Sequence, residues 1–164
     1  MSYCKSAGAF FMTEAGFAEE LPTEPIGYLK FVTLGESTLS AEELTSIAGN
    51  RANGAVIDLG EATFATTEFP MDFARKTNLQ EIALPRNIQT SASDSFSGAF
   101  YNCTNLKRVT LPEGLTAIGA NCFRECSKLE SIDLPATVGS LGNPAFYNCK
   151  ALTAIVIHDG VETI

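Results

Sequence analysis

Two stretches of the chain share one spacing: residues 105–127 read NLKRVTLPEGLTAIGANCFRECS, and residues 128–150 read KLESIDLPATVGSLGNPAFYNCK. Each contains a leucine, then two apolar residues separated by one position, then proline, and each ends near Phe-x-x-Cys. Residues 78–104 follow the same order in a copy four residues longer, and residues 151–164 begin a further copy. A pattern that returns at a fixed spacing of this length indicates a repeat array.

The recurring positions predict one buried face for each repeat. The apolar pair lies at alternate residues of a short strand, so both side chains point to one side. Proline ends the strand because it cannot donate to a ladder. Phenylalanine, cysteine and the next leucine then turn back to the same interior, which only stacked repeats can fill. The positions are Leu79, Leu106, Leu129 and Leu152; Ile82/Leu84, Val109/Leu111, Ile132/Leu134 and Ile155/Ile157; Phe100, Phe123 and Phe146; and Cys103, Cys126 and Cys149.

The chain before these copies divides into three parts. Residues 53–77 form a degenerate repeat, with Lys76 at the cysteine position. Residues 26–52 form an N-terminal cap, with a strand at 28–34 and a helix that begins at the S-x-x-E motif of residues 40–43. Residues 1–25 form an irregular segment, and residues 53–164 form the repeat region.

The frame L-x-x-I-x-L-P followed by A-F-x-x-C-x-x-L resembles the BspA-like class of leucine-rich repeat. The resemblance is close over residues 78–164 and loose over 53–77. It implies an α/β solenoid, a right-handed coil with one short parallel strand per repeat and a strand-helix cap at its N-terminal end. It also implies a non-enzymatic protein-binding or adhesion module of a bacterial cell-surface protein. The alternative is a structural or self-associating module within a larger surface protein.

Composition limits the classes of partner. The 11 basic and 19 acidic residues give a net charge of −8, which argues against nucleic acid and an anionic membrane surface. No apolar run approaches the length of a transmembrane helix. Residues 1–18 lack the uninterrupted apolar segment of a signal peptide. This leaves an intracellular chain or one whose signal has been removed, and only the resemblance points to a cell-surface or secreted location.

The sequence supplies few groups for catalysis, so no catalytic residue, metal site or cofactor is expected. Cys122 and Cys126 are spaced C-x-x-x-C, but they coincide with interior positions of the repeat and are interpreted as packed thiols. Disulfides between stacked cysteines are the less favoured alternative. His158, next to Asp159, is interpreted as a turn residue. Residues 102–104 match a glycosylation acceptor, but its Cys103 is expected to be buried.

The alternation leaves outward residues on the strands, and they are the candidate binding face. In leucine-rich repeats this face commonly binds partners. The row is short and chemically mixed, without the aromatic cluster of an interaction hot spot. The Ser-rich loop at residues 91–98 is a rival contact, although its Phe96 could turn inward to fill the slot of Ile118. The candidate residues are Glu81, Ala83, Arg108, Thr110, Ser131, Asp133, Ala154 and Val156.

The last strand of the array is uncharged and has no following repeat in this sequence. Natural proteins rarely leave such an edge bare. Its core residues Leu152, Ile155 and Ile157 are the candidate self-association edge. Three explanations stay open: a longer array, a homodimer through this repeat, or a docked protein partner.

Overall fold

A computed structural model describes residues 4–6, 9–11, 28–32, 38–40, 42, 56–67, 69, 73–89 and 96–162 of the 164-residue chain. Near the N-terminus, β1 (Cys4–Ser6) and β2 (Ala9–Phe11) form an antiparallel pair. The predicted strand at 28–34 is present as β3 (Tyr28–Val32). Of the predicted cap helix only Glu42 is described, in helical conformation, and the rest lies outside the described residues.

Parallel strands follow, one at each predicted I-x-L position. β3 pairs with β4 (Val56–Glu61), β4 with β5 (Glu81–Ala83), and β5 with β6 (Arg108–Thr110). β8 (Ser131–Asp133) lies beside β6, joined to it where the Glu130 N–H donates to the Lys107 carbonyl at 3.2 Å. β10 (Ala154–Val156) pairs with β8. Ile57, Ile82 and Val109 stand in register, as do Ile132 and Ile155, because the repeats place them one strand apart.

The part of each repeat that follows the strand, which we call the return half, differs from the predicted fold in two ways. Residues 56–67, 69, 73–89 and 96–162 contain no helix there, so the α component of the α/β prediction is wrong for the described repeats. The path instead turns sharply before each cysteine position, where Arg75, Asn102, Glu125 and Asn148 all have positive φ. A left-handed residue at this point interrupts the continuous φ/ψ that a helix needs.

The second correction is an additional strand. β7 (Ala117–Ile118) and β9 (Ser140–Leu141) pair in parallel on the return half of two neighbouring repeats. Those repeats therefore contain two strands each, where one was predicted. The N–H of Gly142 donates to the Ile118 carbonyl at 2.7 Å and extends this second ladder.

The core is a ladder of rings beside a ladder of thiols. Phe100 and Phe123 stack with centroids 5.4 Å apart and planes 3° from parallel, and Phe123 and Phe146 stack at 5.4 Å and 10°. Phe73 joins the other end, 6.0 Å from Phe100. Phe96 is fully buried against this ladder, so it does turn inward.

The cysteines tie each repeat to the one before it. The thiols of Cys103, Cys126 and Cys149 donate to the carbonyls of Phe73, Phe100 and Phe123, at 2.9, 3.1 and 3.1 Å. These three cysteines and Cys122 are free thiols. Sulfur can therefore supply a buried hydrogen bond to the backbone as well as apolar volume.

Candidate functional site

The predicted binding face lies on one side of the parallel strands. We call it the strand face. The register sets Glu81 opposite Arg108 and Ala83 opposite Thr110, then Ser131 opposite Ala154 and Asp133 opposite Val156. Glu81 and Ala83 are half-buried and the six others are exposed, while the residues between them point into the core. The strand face therefore presents side chains on a backbone whose register is fixed by the ladder beneath.

The N-terminal end of the strand face is occupied by contacts within the chain. The Tyr28 hydroxyl donates to Asp58 at 3.1 Å, and Lys30 Nζ lies 2.5 Å from Glu61 and 3.7 Å from Asp58. Burial, followed by the hydrogen bond to Asp58, raises the pKa of Tyr28, and the hydrogen bond to Glu61 raises that of Lys30. These opposite charges satisfy one another, which reduces their availability to a partner.

The C-terminal end of the strand face borders a cleft of about 560 Å³, which we call the strand-end cleft. Its floor includes the apolar residues Leu111 and Leu134, and its polar rim includes Thr110 and Asp133. His158 also lines it, with Nε2 3.6 Å from an Asp133 oxygen. The histidine thus contacts the carboxylate of the preceding repeat across the strand ends. Sequence reasoning treated it only as a turn residue and missed this juxtaposition.

The last strand exposes apolar surface, as its position in the sequence predicts. Val156 is 48% and Ile157 47% exposed. Leu134, which occupies the position of Ile157 in the preceding repeat, is fully buried. Leu152 and Ile155 are partly buried and pack against the core. All three predicted edge residues lie in the last repeat that the structure describes. A role in self-association stays a prediction.

A second cleft, on the side opposite the strands, was not anticipated from the sequence. We call it the return cleft; its volume is about 600 Å³ and it is lined by Arg75, Tyr101, Asn121 and Arg124 among others. The guanidinium carbon of Arg75 lies 5.7 Å from the centroid of Tyr101, and that of Arg124 lies 5.0 Å from the centroid of Tyr147. Arg75, Tyr101 and Arg124 therefore lie along this cleft, and Tyr147 contacts Arg124 beside it.

The four thiols that the structure describes do not form a reactive centre. Burial raises the pKa of Cys103 from 9.0 to about 12 and that of Cys149 to about 11, and raises those of Cys122 and Cys126 further. A nucleophilic cysteine needs the opposite shift, toward the thiolate. In the part of the chain that the structure describes, no three His, Cys, Asp or Glu residues form a group that could hold a metal ion. No described helix is long and apolar enough to cross a membrane.

The comparison with protein families is decisive for the kind of repeat. Residues 67–164, more than half of the chain, match the family described as a BspA type leucine rich repeat region, in 6 copies. The chain belongs to the BspA-type leucine-rich repeat family. This confirms the resemblance inferred from the spacing of leucine, proline, phenylalanine and cysteine. BspA-type repeats are generally non-enzymatic and suggest a protein-interaction or repeat module.

Two solved structures share the fold. A leucine-rich repeat protein of T. pallidum has a TM-score of 0.55 at 18% identity, with 99% of this chain and 60% of that protein covered. A leucine-rich repeat protein from Bacteroides ovatus has a TM-score of 0.54 at 20% identity, with 94% and 32% covered. This chain thus spans less than two thirds of the length of either protein. No curated protein matches it.

Proposed function

We propose that this chain is a non-enzymatic protein-binding module of a bacterial cell-surface protein, acting in adhesion, host contact or assembly of a surface complex. We further propose that its repeats form a right-handed solenoid capped by residues 26–52. Family membership supports an interaction module, and surface association is typical of BspA-type proteins. The net charge of −8 makes nucleic acid and an anionic membrane surface poor candidates, and the proposal includes neither membrane insertion nor a cofactor.

One observation carries the choice of surface: the exposed half of the strand face runs directly into the strand-end cleft. Thr110 and Asp133 belong to both, and Ser131 lies beside them on β8. A partner lying across these strands would contact the polar side chains and place an apolar group against the exposed Ala136 in the cleft. A polar rim around an apolar centre is the usual anatomy of a protein interface.

The test is binding of the fluorescently labelled chain to cultured epithelial cells, measured by flow cytometry before and after trypsin treatment of the cells. We expect saturable binding that trypsin removes, because the receptor is a protein. The strand-face variant Thr110→Arg/Ser131→Arg should bind about ten-fold more weakly or worse, the scale of a lost interface hot spot. The control Thr77→Arg/Thr116→Arg adds the same charge at exposed residues off this face and should bind normally.

Two results would contradict this proposal. One is binding to trypsin-treated cells that equals binding to untreated cells, or no saturable binding to either. The other is equal binding by the strand-face variant and by its control. Circular dichroism of each variant beforehand shows that the fold is retained.

The second candidate is a structural, self-associating module, and the apolar edge at β10 favours it. Pairing of two copies through this edge would cover Val156 and Ile157, which are each about half exposed. Light scattering should then give a dimer for the natural chain and a monomer for Ile155→Lys/Ile157→Lys. The control Ser131→Lys/Ala136→Lys adds equal charge one repeat earlier and should stay dimeric. A monomeric natural chain would rule this candidate out.

A further inference from the structure

The return cleft differs in charge from the rest of the molecule. Among the described residues that line it are two guanidinium groups, from Arg75 and Arg124, and no carboxylate. The chain as a whole has eight more acidic than basic residues, so this local positive charge is opposite in sign to the net charge of the chain. Like charges repel and opposite charges attract an approaching partner, so the cleft favours an anionic group.

Each of the two guanidinium groups lies over a tyrosine ring. Arg124 follows the ladder residue Phe123, and Tyr101 and Tyr147 occupy the same position in the flanking repeats. Arg124 lies over Tyr147, and Arg75 lies over Tyr101. A stacked guanidinium is fixed through its face while its edge keeps the N–H donors that fit a carboxylate.

Arg124 has donor capacity to spare. Its Nη1 donates to the Asn121 side chain at 3.3 Å, a long bond, and its Nε is buried without a hydrogen-bond partner in the described part of the chain. A guanidinium has five N–H donors. A carboxylate entering the cleft would accept from the remaining Nη donors and offset the unfavourable burial of the group.

We propose that the return cleft is a docking site for acidic side chains, aspartate or glutamate, of a partner protein. The inference rests on the proposed function as a protein-binding module and adds a second surface with a stated partner chemistry. Tyrosine and arginine are the residues most enriched at interface hot spots, and here they alternate on successive repeats. The strand face and the return cleft would then contact different parts of a partner.

The experiment is a titration of the isotope-labelled full chain with short capped peptides, followed by amide chemical shifts. The probe is acetyl-Glu-Leu-Glu-amide, and its uncharged control is acetyl-Gln-Leu-Gln-amide. The glutamate peptide should give saturable shifts at Gly98, Asn121 and Arg124. The glutamine peptide should bind about ten-fold more weakly, because charge-assisted hydrogen bonds are about twice as strong as neutral ones.

Variants locate the site. Arg75→Asn suits a position with φ of 63°, because asparagine tolerates that conformation, and it removes one guanidinium. Arg124→Gln removes the other. Each should weaken binding of the glutamate peptide about five-fold or more, whereas Arg86→Gln, which removes the same charge at an exposed residue that belongs to neither cleft, should leave it unchanged. Arg75→Asn serves alone if Arg124→Gln disturbs the stack on Tyr147.

The proposal is overturned if the two peptides bind equally, if the saturable shifts lie elsewhere, or if Arg86→Gln weakens binding as much as Arg75→Asn. The peptide titration involves neither cells nor the strand face. A negative result in the peptide titration therefore does not contradict the adhesion proposal. A negative result in the cell-binding assay likewise does not contradict the return-cleft proposal.

Discussion

Replacement of Gly142 by alanine should open a gap between two neighbouring repeats. A Cβ atom at this position would lie 2.6 Å from the carbonyl carbon of Gly119 and 2.8 Å from Cα of Ala120, and closer still to the Ala120 nitrogen. Carbon atoms in contact normally stand about 3.5–4.0 Å apart. All three neighbours are backbone atoms, which no side-chain rotation can move aside. The repeats must therefore separate by about 1 Å on this side.

The expected loss follows from that separation. Overpacking of an interior site costs about 1–3 kcal/mol. The Gly142 N–H also donates to the Ile118 carbonyl at 2.7 Å, and stretching that bond adds about 1 kcal/mol. The free energy of unfolding should thus fall by about 2–4 kcal/mol, a large fraction of the stability of an ordinary domain.

Gly139→Ala is the matched control in the same repeat. A Cβ there would meet only the Gly160 carbonyl oxygen, at an ordinary 3.7 Å. Alanine also reduces the entropy of the unfolded chain, so this variant should be unchanged or more stable by about 0.4–1 kcal/mol. Urea unfolding followed by circular dichroism and tyrosine fluorescence measures both, since the chain has no tryptophan. Variants equally stable within about 0.5 kcal/mol would refute the close stacking of these repeats.

Three further changes probe the interior. Phe123→Ala removes a fully buried ring stacked on both sides, so urea unfolding should show a loss of about 3–5 kcal/mol, against a smaller loss for the half-buried Phe146→Ala. Asn87→Ala leaves both the N–H and the carbonyl of Phe64 without the side-chain partner that each contacts at 2.8 Å, and the same assay should show a loss of about 1–3 kcal/mol. An equal loss for Asn105→Ala, whose side chain donates to one solvent-exposed carbonyl, that of Thr77, would contradict this. Because burial raises the pKa of Cys103 from 9.0 to about 12, the neutral thiol stabilises the fold fully below pH 9, and this contribution is lost as pH rises toward 12. The unfolding free energy of the natural chain should therefore fall more steeply above pH 9 than that of Cys103→Ala, by at most about 1.4 kcal/mol per pH unit, and parallel curves would contradict the assigned burial.

The strands and the interior could be predicted because their signal repeats. Alternation around Ile82, Val109 and Ile132 marks β5, β6 and β8, and each is followed by a proline that ends the strand. The phenylalanine and cysteine spacing likewise predicts two side-chain ladders. In each case the same type of residue recurs at the same position of several repeats, so a chance match is improbable.

The return half could not be predicted in the same way. β7 and β9 have two residues each, which is too few to show an alternation of apolar and polar residues in the sequence. The turn that excludes a helix depends on positive φ at residues as different as Arg75, Asn102 and Glu125, and of these only asparagine is a usual signal for that conformation.

The two clefts could not be predicted from the sequence, for a different reason. The strand-end cleft brings His158 to Asp133, and this contact depends on where the last turn directs the chain. The Arg–Tyr cluster was visible as the residue after each ladder phenylalanine: Tyr101, Arg124 and Tyr147. That these side chains form one surface could be recognised only from the structure, in which they lie side by side.

Amide hydrogen exchange at four positions tests the stacking on which both proposed surfaces depend. The N–H groups of Phe123 and Glu125 donate to carbonyls of the next repeat, those of Ala145 and Tyr147, at 2.9 and 2.8 Å. The equivalent N–H groups of Phe146 and Asn148 have no such backbone acceptor within the described residues. We predict slow exchange at the first pair and fast exchange at the second, because within the described residues only the first pair donates to a neighbouring repeat. Fast exchange at all four would contradict the stacking of the repeats.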